Sequence, residues 1–223
     1  MQRLLTLLLF LLPAAAVAEQ YTPDVAEFDG SNSLAFDAAP QLSIAAGGTI
    51  EFWVVPDWTS DPGYDPAIIC NAGPEGASYL IAMLRDRDGI AIAAGDAEDV
   101  VTFDFTDGKL HHVAVVQLED GTAVFVDGQV AGTSELMFQD LPSAGVWVGS
   151  IDGEGNAFHG AIAGLRFWNV AVPQEELVDY ALQDIFAGDH PDLPWLSAMS
   201  DFRTGELLLA EPQPEAQIGH AGN

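Results

Sequence analysis

Two alternating strands lie in the stretch Leu110-His-His-Val-Ala-Val-Val-Gln-Leu-Glu-Asp-Gly-Thr-Ala-Val-Phe-Val-Asp-Gly128. The first strand joins the second at Glu119-Asp-Gly121, and the second ends at another Asp-Gly pair, Asp127-Gly128. Asp-Gly between alternating strands is a strong local signal for a β-hairpin, because a tight turn needs positive φ, which glycine adopts at no steric cost. The stretch therefore predicts an antiparallel all-β protein.

Short apolar strands continue on both sides of this hairpin. More than ten of them are expected, with turn signals about every 8–12 residues, a spacing typical of β-sandwiches. One helix is predicted near residues 173–182, where Pro173 lies in the first turn and apolar residues recur at helical spacing. A parallel α/β fold needs a helix between most strands. The pattern therefore predicts an all-β fold, a two-sheet antiparallel jelly-roll sandwich with one short helix.

The first 18 residues have the features of a secretory signal peptide. A short basic start precedes the apolar run Leu4 to Leu12, and an Ala-x-Ala ending predicts cleavage after Ala18. The alternative is an N-terminal membrane anchor, although the run is shorter than the roughly 20 residues of a spanning helix. We expect a secreted or periplasmic, bacterial protein with no membrane insertion after cleavage, one domain over residues 19–210, and a loose Pro-rich tail over 211–223.

The charge balance is strongly acidic. Asp and Glu number 34 against 6 Lys and Arg, for a formal net charge of −28. No basic patch is available to neutralise phosphates, which excludes nucleic acid and argues against anionic membranes as partners. Two interpretations of the charge stay open: a solvated acidic surface, and Ca²⁺ binding by clustered carboxylates. The chain has one cysteine, Cys70, so no internal disulfide forms, and its apolar strand predicts that Cys70 is buried.

With the strands placed, residues 28–182 resemble the laminin G-like and pentraxin-like branch of the concanavalin A-like jelly rolls. The resemblance implies the fold with high specificity. It implies function poorly, since members of this branch bind glycans, proteins or lipids, and some only support an attached enzyme. Four segments carry it in order: Phe28-Asp-Gly-Ser-Asn-Ser; Thr49-Ile-Glu-Phe-Trp-Val-Val-Pro56; Leu110-His-His-Val-Ala-Val with Val124-Phe-Val-Asp-Gly128; and Val148-Gly-Ser150 through Phe158-His-Gly160 and Leu165-Arg-Phe-Trp-Asn-Val to Glu175-Glu-Leu177.

The same resemblance implies a calcium site in some members, with acids that follow the Val-Gly strand end. In this chain it points to Asp152 and Glu154, with Asn156 close by. The segment Asp152-Gly-Glu-Gly-Asn156 presents oxygens at alternate positions, and hard oxygen ligands suit Ca²⁺. The alternative is a solvated turn, because Asp-Gly is common in turns.

The loop from Asp57 to Pro66 is the first candidate for ligand contact. It contains Trp58 and Tyr64 together with Asp and Pro residues, and aromatic faces next to carboxylates hold sugars in many lectin sites. The turn residues Asp29 and Asn32 are added as ligand-contact candidates. The alternative is that the loop aromatics only cover the end of the sandwich. Three tryptophans that lie within strands are predicted to be core residues: Trp53, Trp147 and Trp168.

Neither zinc binding nor catalysis is predicted. Adjacent strand residues point to opposite faces, so His111 and His112 cannot both bind one ion on a regular strand. The paired carboxylates of glycosidases and the Gly-x-Ser-x-Gly elbow of hydrolases do not occur in the sequence. We therefore expect an exported, non-catalytic module that binds an extracellular glycan or protein, with calcium dependence left open. A structural or adhesive surface component is the alternative, and a glycoside hydrolase-like enzyme is a more remote one.

Overall fold

A computed structural model of the chain describes residues 25–182, 196–202 and 205–210. The predicted signal peptide and C-terminal tail lie outside these residues. The described residues contain fourteen strands and one α-helix, which are β1 Val25–Asp29, β2 Leu34–Phe36, β3 Thr49–Pro56, β4 Ala67–Gly73, β5 Gly76–Met83, β6 Gly89–Ala94, β7 Ala97–Thr102, β8 His111–Leu118, β9 Gly121–Val126, β10 Gln129–Ser134, β11 Val146–Val148, β12 His159–Trp168, α1 Gln174–Ala181, β13 Leu196–Asp201 and β14 Glu206–Leu209.

The strands form two antiparallel sheets, as the sequence predicts. Sheet A has the order β10-β9-β8-β3-β12-β13-β14, with β1 also paired to β12. Sheet B has the order β2-β11-β4-β5-β6-β7. The core lies between them because alternate residues of each strand face inward; on β3 these are Ile50, Phe52 and Val54, all fully buried. Burial of each such side chain contributes about 1.5–3 kcal/mol.

The hairpins confirm the predicted strand pairing. The turn that depends on positive φ, however, lies between β9 and β10 and not between β8 and β9. Strands β8 and β9 pair from Leu118 and Gly121 outward, so their two-residue turn is Glu119-Asp120. The turn with positive φ at both positions is Asp127-Gly128, at +49° and +73°, which joins β9 to β10. Gly121 is required for a different reason, since a Cβ there would lie 2.2 Å from the carbonyl oxygen of Ser134.

Helix α1 covers the outer face of sheet A. It follows Pro173, carries acidic residues in its first turn and buries Leu177 and Tyr180. The Tyr180 ring stacks on the indole of Trp168, with ring centroids 4.6 Å apart. Among the described residues, no helix is long and apolar enough to cross a membrane.

The two ends of the sandwich carry different connections. Strand β3 ends, and β4 and β12 begin, at the end that we call the loop end, which carries loops 57–66 and 149–158. Strands β2 and β4 finish at the other end, called here the far end, where the segments 37–48 and 135–145 lie. The predicted metal and ligand residues all fall at the loop end.

Candidate binding surface

The structure brings together the two loops that the sequence singled out. The hydroxyl of Tyr64 donates to the carbonyl oxygen of Ala157 at 3.2 Å. The side-chain amide of Asn156 donates to the carbonyl oxygen of Asp65 at 2.9 Å. Because these contacts join positions more than 90 residues apart, the loop with Trp58 and the loop with Asp152 form one continuous surface.

Asp152 organises its own loop. Its Oδ1 accepts the backbone N–H groups of Gly155 at 2.7 Å and Glu154 at 3.1 Å, and these two bonds lower the pKa of the Asp152 carboxyl. The carboxylates of Asp152 and Glu154 are exposed, and hard oxygens of this kind suit Ca²⁺. In the described part of the chain, however, no three His, Cys, Asp or Glu side chains are grouped to hold a metal. Calcium binding by Asp152, Glu154 and Asn156 therefore stays a prediction.

Trp58 is held on several sides by the protein itself. Its Nε1 donates to the carbonyl oxygen of Phe105 at 3.3 Å, and the Arg87 guanidinium lies 5.5 Å from its ring centroid. The ring also packs partly against the hydrophobic core. The adjacent cleft, bounded by Asp57 and His159, measures about 10 Å³, which is room for one water molecule. A ligand reaches the Arg87 side of this indole only if the guanidinium moves.

Asp29 and Asn32 build the turn between β1 and β2. The Asp29 carboxylate accepts both the backbone N–H and the hydroxyl of Ser31, and these bonds lower the pKa of Asp29. The Asn32 side chain accepts the backbone N–H of Asp29 and donates to the carbonyl oxygen of Glu27. Their hydrogen bonds explain the turn, and ligand contact by either residue stays a prediction.

The predicted core role is confirmed for Trp168 and is wrong for Trp147. Trp168 is fully buried, whereas Trp147 is half-buried and lies outside both hydrophobic clusters of the described residues. Val146 and Val148 face the core, so alternation turns the indole between them to the outer face of sheet B. That alternation was the sequence signal for this surface residue. Trp53 is also only half-buried, and it packs against His112 on sheet A.

Trp147 stands in a row of small apolar side chains. Across the sheet it is paired with Ala35 on one side and Cys70 on the other, and the row continues through Leu80 and Ala93. We call these five residues the sheet B platform. Cys70 is buried as predicted, and burial, followed by the charge of Asp152, raises its thiol pKa to about 11. The other four platform residues are aliphatic side chains or a buried thiol, so Trp147 is the aromatic group of the platform.

The acidic loop lies directly against this platform. A Cβ at Gly153, whose φ is +96°, would lie 2.8 Å from the Trp147 ring, so glycine permits the close approach. Exposed carboxylates therefore border the platform on the loop side, at Asp152 and Glu154. Glu98, opposite Ala93, is exposed at the other side.

The outer face of sheet A, in contrast, is covered by helix α1. Beneath α1, the fully buried Glu51 accepts hydrogen bonds from Arg166 at 3.1 Å and Trp168 at 3.0 Å, and its other oxygen lies 3.0 Å from Nε2 of His112. Burial alone raises the pKa of Glu51, but the hydrogen bonds and positive charges outweigh it and lower the pKa. This buried carboxylate is committed to structure and is not placed to act on a substrate.

The two adjacent histidines serve opposite faces, as predicted. Nδ1 of His111 lies 2.7 Å from Asp127 and its Nε2 lies 3.0 Å from Asp107, while His112 meets Glu51. Burial lowers the pKa of His111, but the two carboxylates outweigh this and raise it. Each imidazole therefore ties neighbouring segments of the structure together.

Two sheets with this strand order, one of them covered by a helix, define an antiparallel jelly-roll sandwich protein. The chain belongs to the Laminin_G_3 family of the concanavalin A-like lectin/glucanases superfamily, whose family model matches residues 28–178. No curated protein matches it.

Several solved structures share the fold. A Bacteroides ovatus protein with a proposed carbohydrate-binding role has a TM-score of 0.58 and 19% identity, over 79% of this chain and 50% of that one. Trypanosoma rangeli sialidase in complex with sialic acid has a TM-score of 0.57 and 16% identity, over 78% of this chain and 30% of the sialidase. The CBM40 of Ruminococcus gnavus IT-sialidase, bound to α2,3 sialyllactose, has a TM-score of 0.53 and 12% identity, over 71% and 98%. The chain thus spans only half of the first protein and less of the second.

Proposed function

We propose that this protein is a non-catalytic glycan-binding module that uses the sheet B platform. The observation that carries the proposal is the half-buried indole of Trp147, which stands on the outer face of sheet B, the face without a helix among the described residues, beside an acidic loop. An indole presents a flat apolar surface to the C–H face of a sugar ring, together with one N–H donor. The carbohydrate-related roles of the B. ovatus protein and of the R. gnavus module support the same class of ligand.

The charge of the molecule narrows the ligand. The net charge is −28, and exposed carboxylates border the platform at Asp152, Glu154 and Glu98. Carboxylates accept hydrogen bonds from sugar hydroxyls but repel an acidic sugar. We therefore expect neutral glycans to bind better than sialylated or uronic-acid glycans. This preference would differ from that of the T. rangeli sialidase, which binds sialic acid.

Export and calcium complete the proposal. The N-terminal segment of residues 1–18 supports export, which would give the module access to extracellular glycans. Ca²⁺ bound by Asp152 and Glu154 would coordinate sugar hydroxyls at the border of the platform. Water or backbone oxygens would complete its six to eight oxygen ligands.

A glycan array followed by titration calorimetry tests the proposal. Trp147→Ala is expected to weaken binding about tenfold or more, because it removes the stacking surface. Trp58→Ala is the matched control at the loop end and should bind like the wild type. If only Trp58→Ala loses binding, the site is the loop that contains Tyr64. If no glycan binds, the structural or adhesive alternative is favoured. Release of sugar from a bound glycan would contradict the non-catalytic role.

A further inference from the structure

We infer a second small-ligand site at the far end of the sandwich, in a cavity that neither the platform nor the loop end uses. The cavity has a volume of about 230 Å³. A space of this size has room for several water molecules or one sugar ring. Its wall includes the residues Ala39, Ser43, Asn71, Ser78, Asp140 and Leu141.

Asn71 forms the inner part of this wall. It pairs with Tyr79 and Val146, whose side chains lie in the core, so its own side chain points between the sheets. Only 5% of Asn71 is exposed, and its Oδ1 has no hydrogen-bond partner in the described structure. Buried polar atoms are nearly always paired with protein, water or ligand. The Asn71 side chain also hydrogen-bonds the Tyr79 hydroxyl, so Oδ1 is the atom left for a partner, which the adjoining cavity can supply.

The remaining polar groups are held in place. The Ser78 hydroxyl donates to the carbonyl oxygen of Leu141 at 3.3 Å and accepts its N–H at 3.2 Å. The Ser43 hydroxyl donates to Asp140 at 3.1 Å. At Gly73 a Cβ would lie 1.8 Å from the carbonyl oxygen of Pro142, so the segment 140–143 packs tightly on the end of β4. Rigid walls of this kind lower the entropic cost of binding a small ligand.

The chemistry of the wall selects a neutral, hydroxyl-bearing ligand. The amide of Asn71 and the carboxylate of Asp140 are acceptors that suit hydroxyl donors. Ala39 and Leu141 supply apolar surface for ring C–H groups. Among the described residues, the wall includes no cationic side chain, and Asp140 repels an acid. A single neutral sugar ring combines these features, because it has hydroxyl edges and an apolar face.

Saturation-transfer NMR with glucose, galactose, mannose and N-acetylglucosamine tests this site, with glucuronate as the acidic comparison. Ala39→Leu enlarges a side chain of the cavity wall, and Asp140→Asn removes the charge of that wall. At least one neutral sugar should bind, about tenfold more weakly to Ala39→Leu, and Asp140→Asn should admit glucuronate. Ala97→Leu, at an exposed position on β7, is the matched control and should change nothing.

The result separates the cavity from the platform. Binding that survives Trp147→Ala but falls in Ala39→Leu supports the cavity even if the platform binds no glycan. The inference is overturned if no neutral sugar gives a signal, if Ala39→Leu binds like the wild type, or if glucuronate binds the unmodified protein as well as glucose does.

Discussion

Replacement of Glu51 by Gln should destabilise the protein strongly. The Glu51 carboxylate is fully buried. One of its oxygens accepts hydrogen bonds from Arg166 and Trp168, and the other lies 3.0 Å from Nε2 of His112. Gln has the same size but no charge, so the buried guanidinium of Arg166 loses its ion pair with Glu51. It also presents an N–H₂ where an acceptor was needed.

The hydrogen bonds around Glu51 show why neither orientation of a Gln amide at this position satisfies all of the neighbouring groups. Nε2 of His112 faces a carboxylate oxygen of Glu51 and therefore donates to it, while the buried Nδ1 has no partner among the described residues. If the Gln amide nitrogen faces His112, the imidazole must shift its proton to the unpaired Nδ1. If the amide turns around, its N–H₂ meets the donors of Arg166 and Trp168. Either orientation leaves a buried donor unsatisfied.

Removal of one partner from a buried ion pair typically costs about 3–5 kcal/mol. A domain of this size loses roughly 2–4 °C of Tm for each kcal/mol, so Tm should fall by about 6–20 °C. Urea unfolding followed by tryptophan fluorescence measures the free energy directly. Glu98→Gln, at an exposed position on β7, is the control and should change stability by no more than about 0.5 kcal/mol.

A loss below about 1 kcal/mol for Glu51→Gln would refute this reasoning, because it would mean that the charge of Glu51 contributes little to the stability of this buried cluster. A double variant, Glu51→Leu with Arg166→Met, removes both charges. It should recover only part of the loss, since the buried ion pair is replaced by apolar groups but Trp168 and His112 still lack an acceptor.

Three further changes test other parts of the structure. His111 has a raised pKa when folded, so its stabilisation is present below its unfolded pKa near 6.5 and is lost as pH rises through the folded pKa; urea midpoints should fall over that window, and Asp127→Asn should flatten the slope. Gly153→Ala should cost about 1–3 kcal/mol in urea unfolding, because φ of +96° strains an L-residue and its Cβ meets the Trp147 ring; unchanged stability would contradict the packing described. Millimolar Ca²⁺, but not Mg²⁺, should raise Tm after EDTA treatment, and Asp152→Ala should abolish the rise; an equal shift with both ions would indicate charge screening instead.

Much of the fold could be predicted because β-strand patterning is local. The period-two runs located β6 at residues 89–94 and β8 at 111–118 to within one residue. The same alternation separated His111 from His112 correctly. The error at Trp147 arose because a hydrophobic residue within a strand was taken as core, although its two valine neighbours already faced inward.

The candidate site was predictable only in part. The sequence placed Trp58, Tyr64 and Asp152 in loops, which the structure confirms. It carried no signal that Arg87 would lie over Trp58, or that Gly153 would bring the acidic loop onto Trp147. These contacts join segments distant in the chain, and no local pattern encodes which loops meet.

By itself, the sequence determined the strands, their inward and outward faces, the short helix and the acidic character, because each depends on neighbouring residues and composition. The tertiary structure alone decided which polar groups are paired and which sheet face helix α1 covers. Glu51 meets Arg166 across 115 positions, while the Oδ1 of Asn71, at the far end, has no partner within the described part of the chain. Helix α1 packs on the outer face of sheet A, and no helix of the described residues packs on the Trp147 face of sheet B. The physical reason is that a buried polar group is stabilised only by a partner at hydrogen-bond distance, which the packing of distant segments supplies.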